Sequence, residues 1–209
     1  MRSVVKWLLG AGLLLGLCSC AAPPRSTAAP HPRRVMYEWA DDGGPGEVAV
    51  TLDLSRQKAT YTRGGRPIGW SYICTGKPGH ATPAGDFRIS EKLDLKYSGS
   101  FGWLEDGAGN VTNGDATPAT RVPAGEVYVP APMPHWMRLT SFGVGMHGGV
   151  IPHPGFTASH GCIRLPMDFA EKLYDAVKVG TPVKILAGEG PTWQEFSAPT
   201  PAYSDAIGY

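Results

Sequence analysis

Short alternations of apolar and polar residues dominate the middle of the chain. In EVAVTLDL, residues 47–54, the apolar positions recur at every second residue. This period of two is typical of a β-strand with one buried face. KATYTR (58–63) and PIGWSYICTG (67–76) continue the pattern, and Gly64-Gly65 lies between them as the kind of turn that a hairpin requires. These residues predict an antiparallel meander.

The same pattern predicts further strands in ATPAGDFRIS (81–90), EVYVPAP (126–132), MRLTSFGVGMHG (137–148) and TPVKIL (181–186), with a proline-broken kink between the second and third of these. MDFAEKLYDAVKVG (167–180) is the one clear helix. Its apolar positions fall on one face, Asp168 and Glu171 lie in its first turn, and Gly180 is expected to end it. The segment 94–123 is polar and glycine-rich without a sustained period, which predicts a long functional or mobile loop. The fold class is therefore mainly β, with one substantial helix after a cysteine-containing loop.

The N-terminus has the pattern of an export signal. Arg2 and Lys6 precede an apolar run, residues 7–17, which is shorter than the ~20 residues of a spanning helix. Leu17-Cys18-Ser19-Cys20 then resembles a bacterial lipobox, whose last cysteine is lipidated and becomes the new N-terminus. We therefore predict a lipoprotein signal peptide at 1–19 and an anchor at Cys20. An ordinary secreted protein cleaved near Ala21 and an uncleaved anchor are the alternatives.

Composition then divides the rest of the chain. Residues 20–46 are rich in Ala and Pro and predict a tether with its lead-in, 47–187 predict one folded domain, and 188–209 predict a Pro-rich tail. The formal net charge is +1, and no basic block indicates nucleic acid. A lipoprotein signal predicts a periplasmic, membrane-anchored protein. Ala21, in place of the aspartate typical of inner-membrane lipoproteins, favours the outer membrane.

Two cysteines remain in the predicted domain, Cys74 and Cys162. In an oxidising compartment such a pair is ordinarily read as a disulfide, and that alternative stays open. Cys162, however, lies in MHGGVIPHPGFTASHGCIRLP (146–166), a stretch that suits a reactive thiol better. Cys74 ends an apolar strand and is predicted to be a buried small side chain.

The chemistry of a cysteine depends on its thiolate, and an ordinary thiol has a pKa of about 8.5. Three features that favour the thiolate are available here: His147 upstream, Arg164 on the same face of an extended segment, and the start of the helix near Pro166. The backbone amides of Gly161 and Cys162 are candidates for an oxyanion hole. The pattern predicts a nucleophilic cysteine of an acyltransferase or peptidase.

Zinc is the competing interpretation of the same stretch. The candidate ligands are His147, His153, His160 and Cys162. Their spacing matches no H-E-x-x-H or C-x-x-C pattern, and no carboxylate lies within 146–166. We therefore predict neither a metal nor another cofactor.

The residues also resemble a known family. His147-Gly148, followed after a spacer by Ser159-His160-Gly161-Cys162-Ile163-Arg164, resembles the signature of the L,D-transpeptidase catalytic domain, the YkuD fold. Thr82, Pro83, Gly85 and Phe87 are similar to the family's T-P-x-G-x-F element, and GTPVKI resembles its last strand. The resemblance covers roughly residues 47–186 and implies an L,D-transpeptidase-type β-sandwich with mixed sheets.

The resemblance implies a peptidoglycan enzyme with a thioester intermediate. Cys162 would attack the third residue of a stem tetrapeptide and release D-Ala, with His147 as the base. The Gly148 carbonyl would hold the imidazole, and the amides of Gly161 and Cys162 would receive the oxyanion. The acyl group would pass to an amine, in a cross-link or on a wall-attached protein, or to water in an L,D-carboxypeptidase or amidase. A wall-binding module with an idle thiol is the remaining hypothesis.

Three motif residues are assigned to the substrate side of the site. His160 is expected to have a structural or substrate-orienting role. Arg164 either binds a stem carboxylate or fixes the loop. Ser159 is expected to brace the loop at the substrate. The segment 96–107 is expected to line the stem-peptide groove.

Overall fold

The structure is a computed structural model that describes residues 34–192. The predicted signal peptide, Cys20, most of the tether and the tail from residue 193 onward lie outside the described residues. Within 34–192 the chain forms two β-sheets and one α-helix, so the mainly β prediction is confirmed. No helix in this part of the chain is long and apolar enough to cross a membrane.

The first sheet contains six strands. They are β1 (Tyr37–Trp39), β2 (Val48–Asp53), β3 (Lys58–Arg63), β4 (Arg66–Tyr72), β5 (Gly85–Arg88) and β11 (Pro182–Leu186), in the order β1-β4-β3-β2-β11-β5. The predicted meander is β2-β3-β4. Gly64 and Gly65 turn between β3 and β4 with φ of 55° and 81°, a conformation that side chains with a Cβ rarely adopt. The last strand, β11, pairs parallel with β2 and antiparallel with β5.

The second sheet contains five strands. They are β6 (Glu91–Asp106), β7 (Val111–Ala116), β8 (Glu126–Arg138), β9 (Gly145–Gly148) and β10 (Ile163–Leu165), in the order β10-β9-β8-β6-β7. The β9–β10 pair is parallel, and the other pairs are antiparallel. The expected kink between residues 132 and 137 does not divide the chain into two strands, because β8 continues through its prolines opposite β6.

The prediction of a long loop at 94–123 is wrong for residues 94–116. These residues form most of β6 and all of β7, which pair as a hairpin. Most side chains of β7 are exposed, and β6 is exposed over much of its length. Because neither face of the hairpin is continuously buried, the sequence shows no period of two.

The helix α1 (Met167–Ala176) joins the two sheets in one core. Phe169 is fully buried, and its ring centroid lies 4.9 Å from that of Tyr37 and 5.1 Å from that of Tyr61. Asp168 occupies the first turn as predicted, whereas Glu171 does not. The helix ends at Ala176 rather than at Gly180, because Val177 is already extended with φ of −109°.

Candidate active site

The parallel pairing of β9 and β10 brings the predicted nucleophile and base together. Arg164 pairs with His147, and Ile163 pairs with Met146. Paired residues lie on the same face of a sheet, and residues two apart along a strand share that face. Cys162 and His147 therefore lie on one face of neighbouring strand segments, whose backbones are roughly 4.8 Å apart.

The imidazole of His147 is held by its neighbour. The ring is buried, with 6 % of the residue exposed, and Nδ1 lies 2.9 Å from the carbonyl oxygen of Gly148. A carbonyl only accepts hydrogen bonds, so Nδ1 carries the proton and the neutral ring keeps Nε2 as an acceptor. Burial lowers the pKa of His147 to about 4, opposed by the Gly148 bond and assisted by the Arg164 charge. At neutral pH the imidazole is a free base.

Cys162 is a half-buried, free thiol that donates to the Gly143 carbonyl oxygen at 3.6 Å. Burial raises the pKa of this thiol. The Gly145 amide and the positive charges of Arg164 and Lys96 oppose that rise without overcoming it. The expectation of a thiol made acidic in the resting protein is therefore wrong. The resting pair is a neutral thiol and a neutral imidazole.

The helix N-terminus does not assist the thiol as the sequence suggested. A Cβ placed on Gly148 would lie 3.2 Å from the Ala170 Cβ and 3.0 Å from the Met167 sulfur, so α1 packs on the Gly148 face of β9. Side chains alternate between faces, so His147 and its partner Arg164 lie on the opposite face. The positive end of the helix dipole is thus not directed at Cys162.

The predicted oxyanion hole is only partly available. Gly161 has φ of 112°, a left-handed conformation suited to glycine, and its N–H donates to Ser159 Oγ at 3.1 Å. That amide is committed within the loop, so the assignment of Gly161 as an oxyanion donor is wrong for this conformation. From the predicted pair, the Cys162 amide remains as the candidate.

Comparison with known proteins identifies the fold. The sequence model of the L,D-transpeptidase catalytic domain, YkuD, matches residues 47–185. The chain belongs to this family. A comparison with curated proteins finds no match.

Solved structures of L,D-transpeptidases are similar to this chain in fold. An L,D-transpeptidase from Mycobacterium smegmatis is 26 % identical, with a TM-score of 0.53, over 68 % of this chain and 59 % of its own. LD transpeptidase LdtMt1 in complex with imipenem is 25 % identical, with a TM-score of 0.51, over 66 % of this chain and 58 % of its own. The Ldtfm-avibactam carbamoyl enzyme is 26 % identical, with a TM-score of 0.51, over 68 % of this chain and 50 % of its own. The match thus spans less than two thirds of each of these relatives.

Within the L,D-transpeptidase motif, Ser159 braces the loop. Its hydroxyl donates to the Cys162 carbonyl oxygen at 2.6 Å and accepts from the Gly161 amide, and 1 % of the residue is exposed. A buried hydroxyl with both functions engaged is not available to a peptide. The assignment of Ser159 to substrate binding is therefore wrong, and its bracing role is what the structure shows.

Thr82, from the T-P-x-G-x-F element, supports the same loop from outside. Its hydroxyl donates to the Gly161 carbonyl oxygen at 2.8 Å and accepts from the Gly76 amide at 3.0 Å. The segment 74–77 also runs beside the loop, with Cys74 and Arg164 exchanging two backbone hydrogen bonds of 2.9 and 3.0 Å. The family element was the signal for Thr82, but the sequence alone did not assign it a contact.

Cys74 is fully buried and free, and so is not bridged to Cys162. The disulfide alternative is wrong. Among residues 34–192, no group of three or more His, Cys, Asp or Glu side chains converges as metal ligands do.

His160 connects the loop to the β6–β7 hairpin. Its ring stacks on Phe101 of β6, with centroids 4.2 Å apart and planes inclined by 16°. Nε2 lies 2.9 Å from an oxygen of Asp115 in β7, which also pairs with Lys77 at 2.9 Å. Burial, with the Lys77 charge, lowers the pKa of His160 although Asp115 opposes the shift. These contacts fit the structural role expected of His160, and no sequence pattern indicates its partners.

Arg164 makes a contact that fits one of its two predicted roles. Nη1 donates to the Val150 carbonyl oxygen at 3.3 Å, and the aliphatic part of the side chain lies against Gly149, 3.1 Å from where a Cβ would be. The guanidinium therefore braces the connection that follows β9. Its second predicted role, in binding a stem carboxylate, stays a prediction.

Trp136 of β8 forms a wall beside the imidazole. The residue is fully buried, and its ring centroid lies 6.2 Å from that of His147. A Cβ on Gly145 would fall 2.6 Å from the ring, so only glycine fits between the tryptophan and the thiol. The indole donates to Glu91 at 3.0 Å, which also accepts from Arg138 at 2.9 Å.

Proposed function

We propose that the protein is a peptidoglycan L,D-transpeptidase that uses Cys162 as nucleophile and His147 as general base. The observation that carries the proposal is the parallel β9–β10 pairing, which puts a thiol and a neutral imidazole on one face of adjacent segments. Family membership supplies the reaction class. A stem tetrapeptide is the donor.

The neutral resting pair determines how the first step runs. The thiol turns from the Gly143 carbonyl toward Nε2 of His147, which takes its proton as the sulfur attacks the carbonyl of the third stem residue. The oxyanion of the tetrahedral intermediate accepts a hydrogen bond from the Cys162 amide. The C–N bond to D-Ala then breaks, and the leaving amine takes the proton from His147. A thioester on Cys162 remains.

The second step reverses the proton transfers. An acceptor amine loses a proton to His147 and attacks the thioester, which releases the thiolate, and this is reprotonated by the imidazolium. The product is a cross-link between two stems or a stem attached to a wall protein. Water in place of the amine gives a tripeptide, the carboxypeptidase alternative.

Mass analysis of products from disaccharide-tetrapeptides tests the proposal with the full chain. We expect dimers that have lost one D-Ala. Tripeptide as the sole product would identify water as the acceptor. An absence of any product would refute the proposed enzymatic activity. Cys162→Ala should abolish product, whereas Cys74→Ala removes a buried cysteine from the same domain and should retain it. Chelation with EDTA should leave the rate unchanged.

The lipoprotein sequence supports a second, separate proposal. We infer that Cys20 is acylated and anchors the protein on the periplasmic side of the outer membrane. Cys20→Ala should move the protein from the membrane to the soluble fraction of the periplasm, and an N-terminal mass without two or three acyl chains would contradict the anchor.

A further inference from the structure

A lysine outside the family motif lies near Trp136, the residue that borders the candidate active site. The ammonium of Lys96, in β6, is 5.6 Å from the centroid of the Trp136 ring. This is the ring that packs against Gly145 and stands next to His147. Lys96 therefore occupies the wall of the candidate active site and not the outer surface of the hairpin.

An irregularity in β8 explains why this lysine faces the site. His135 has φ of 53°, so the regular alternation of side chains is interrupted there. Pro134 contacts the helix side, 3.4 Å from where a Gly148 Cβ would be, although Trp136 two residues later lies on the thiol side. Met133 therefore points to the thiol side, and Lys96 pairs with Met133.

The charge of Lys96 is not paired directly with a carboxylate among the described residues, although Glu91 lies within electrostatic reach of it. Within residues 34–192 its ammonium has no carboxylate partner at ion-pair distance, whereas Lys77 pairs with Asp115. The nearby carboxylate of Glu91 is already bonded by Trp136 and Arg138. The Lys96 charge also lowers the pKa of Cys162 against the effect of burial, which places it in electrostatic reach of the sulfur.

We propose that Lys96 binds a carboxylate of the donor stem next to the scissile bond and thereby selects stems that carry it. The inference rests on the proposed function. A stem tetrapeptide whose third residue is diaminopimelate offers this group at two positions, the C-terminus of the departing residue and the side chain of the third residue. An ammonium on a flexible stem suits either carboxylate as a point charge. Arg164, whose guanidinium already bonds the Val150 carbonyl, is less free to do so.

Three disaccharide-tetrapeptides distinguish the two sources: the free acid, its C-terminal amide, and the amide of the third-residue side chain. We expect the wild-type protein to prefer the free acid over one amide by about 10- to 100-fold in kcat/KM, the loss typical of a hydrogen bond to a charged group. Lys96→Met should lower kcat/KM for the free acid by that factor more than for the amide that the wild type disfavours, because loss of the charge near the thiol affects all three substrates alike. Lys96→Arg should keep most of the preference.

Lys184→Met is the matched control, because this lysine is exposed on β11 in the other sheet. It should behave as wild type on all three substrates. A Lys96→Met variant that slows all three equally, or a wild-type protein that does not discriminate, overturns the inference while the proposed function stands. If no stem is turned over, both proposals fail. Melting temperatures of each variant, with Lys96→Gln as a second neutral replacement, establish that the comparison is between folded proteins.

Discussion

The burial of the His147 imidazole predicts how much stability the folded protein loses in acid. The pKa of His147 is about 4 in the folded protein against an ordinary value of 6.5. Between these values the unfolded chain binds more protons than the folded one, so stability rises with pH. The contribution is complete above pH 6.5 and is lost as the pH falls toward 4. Since one unit of pKa is worth about 1.4 kcal/mol, the loss amounts to about 3 kcal/mol.

The contribution of His147 to the free energy of unfolding can be measured by urea unfolding of wild type and His147→Gln. The unfolding is followed by tryptophan fluorescence at pH 7, 5.5 and 4. Carboxylates with lowered pKa, such as Asp41 and Asp53, also weaken the fold in acid, but they are common to both proteins and cancel in the difference. The free energy of unfolding of wild type relative to the variant should fall by about 3 kcal/mol between pH 7 and pH 4. A difference that is independent of pH would refute a buried neutral imidazole.

Three further perturbations test the scaffold and the thiol. Thr82→Val leaves buried groups around the Gly161-Cys162 loop without a partner and should cost about 1–3 kcal/mol in urea unfolding, whereas Thr82→Ser should retain most of the stability. Gly145→Ala forces a Cβ into the Trp136 ring and should lower the free energy of unfolding by about 1–3 kcal/mol. Gly114→Ala, which has open space around it, should change that free energy by no more than about 0.5 kcal/mol. Equal effects of the two substitutions would contradict the packing of Gly145 against Trp136. Iodoacetamide should alkylate Cys162 with an apparent pKa above that of a small free thiol titrated in parallel, and a lower value would mean that a resting thiolate exists.

Alternation predicted those strands that bury one face continuously. In β2 every second residue is buried, and in β11 Val183 and Ile185 are buried, so the apolar alternation in the sequence predicts both strands. The sequence does not predict the hairpin of β6 and β7, since nearly all of its side chains are exposed or only partly buried and neither face is continuously buried. The same physical reason made residues 94–116 resemble a loop.

The sequence likewise predicts some features of the candidate site and not others. His147 and Cys162 were predictable because they lie in a short motif with chemical meaning. Their environment was not: whether the thiol is buried depends on contacts between distant segments, and which amide is already bonded depends on how the loop turns at Ser159 and Gly161. Phe101 and Asp115 meet His160 only through the hairpin, and no local pattern records that contact.

The parallel pairing of β9 and β10 has an evolutionary consequence. Antiparallel neighbours are tied by a turn whose length sets their register, whereas parallel neighbours are joined by a separate excursion of the chain, here residues 149–162. Residues can be gained or lost early in that excursion, before the braced loop that begins at Ser159, while the ladder and the loop keep Cys162 and His147 in register. The first part of the crossover is thus a place where selection can change the surface beside the site without moving Cys162 or His147, and where an inserted segment should be tolerated best.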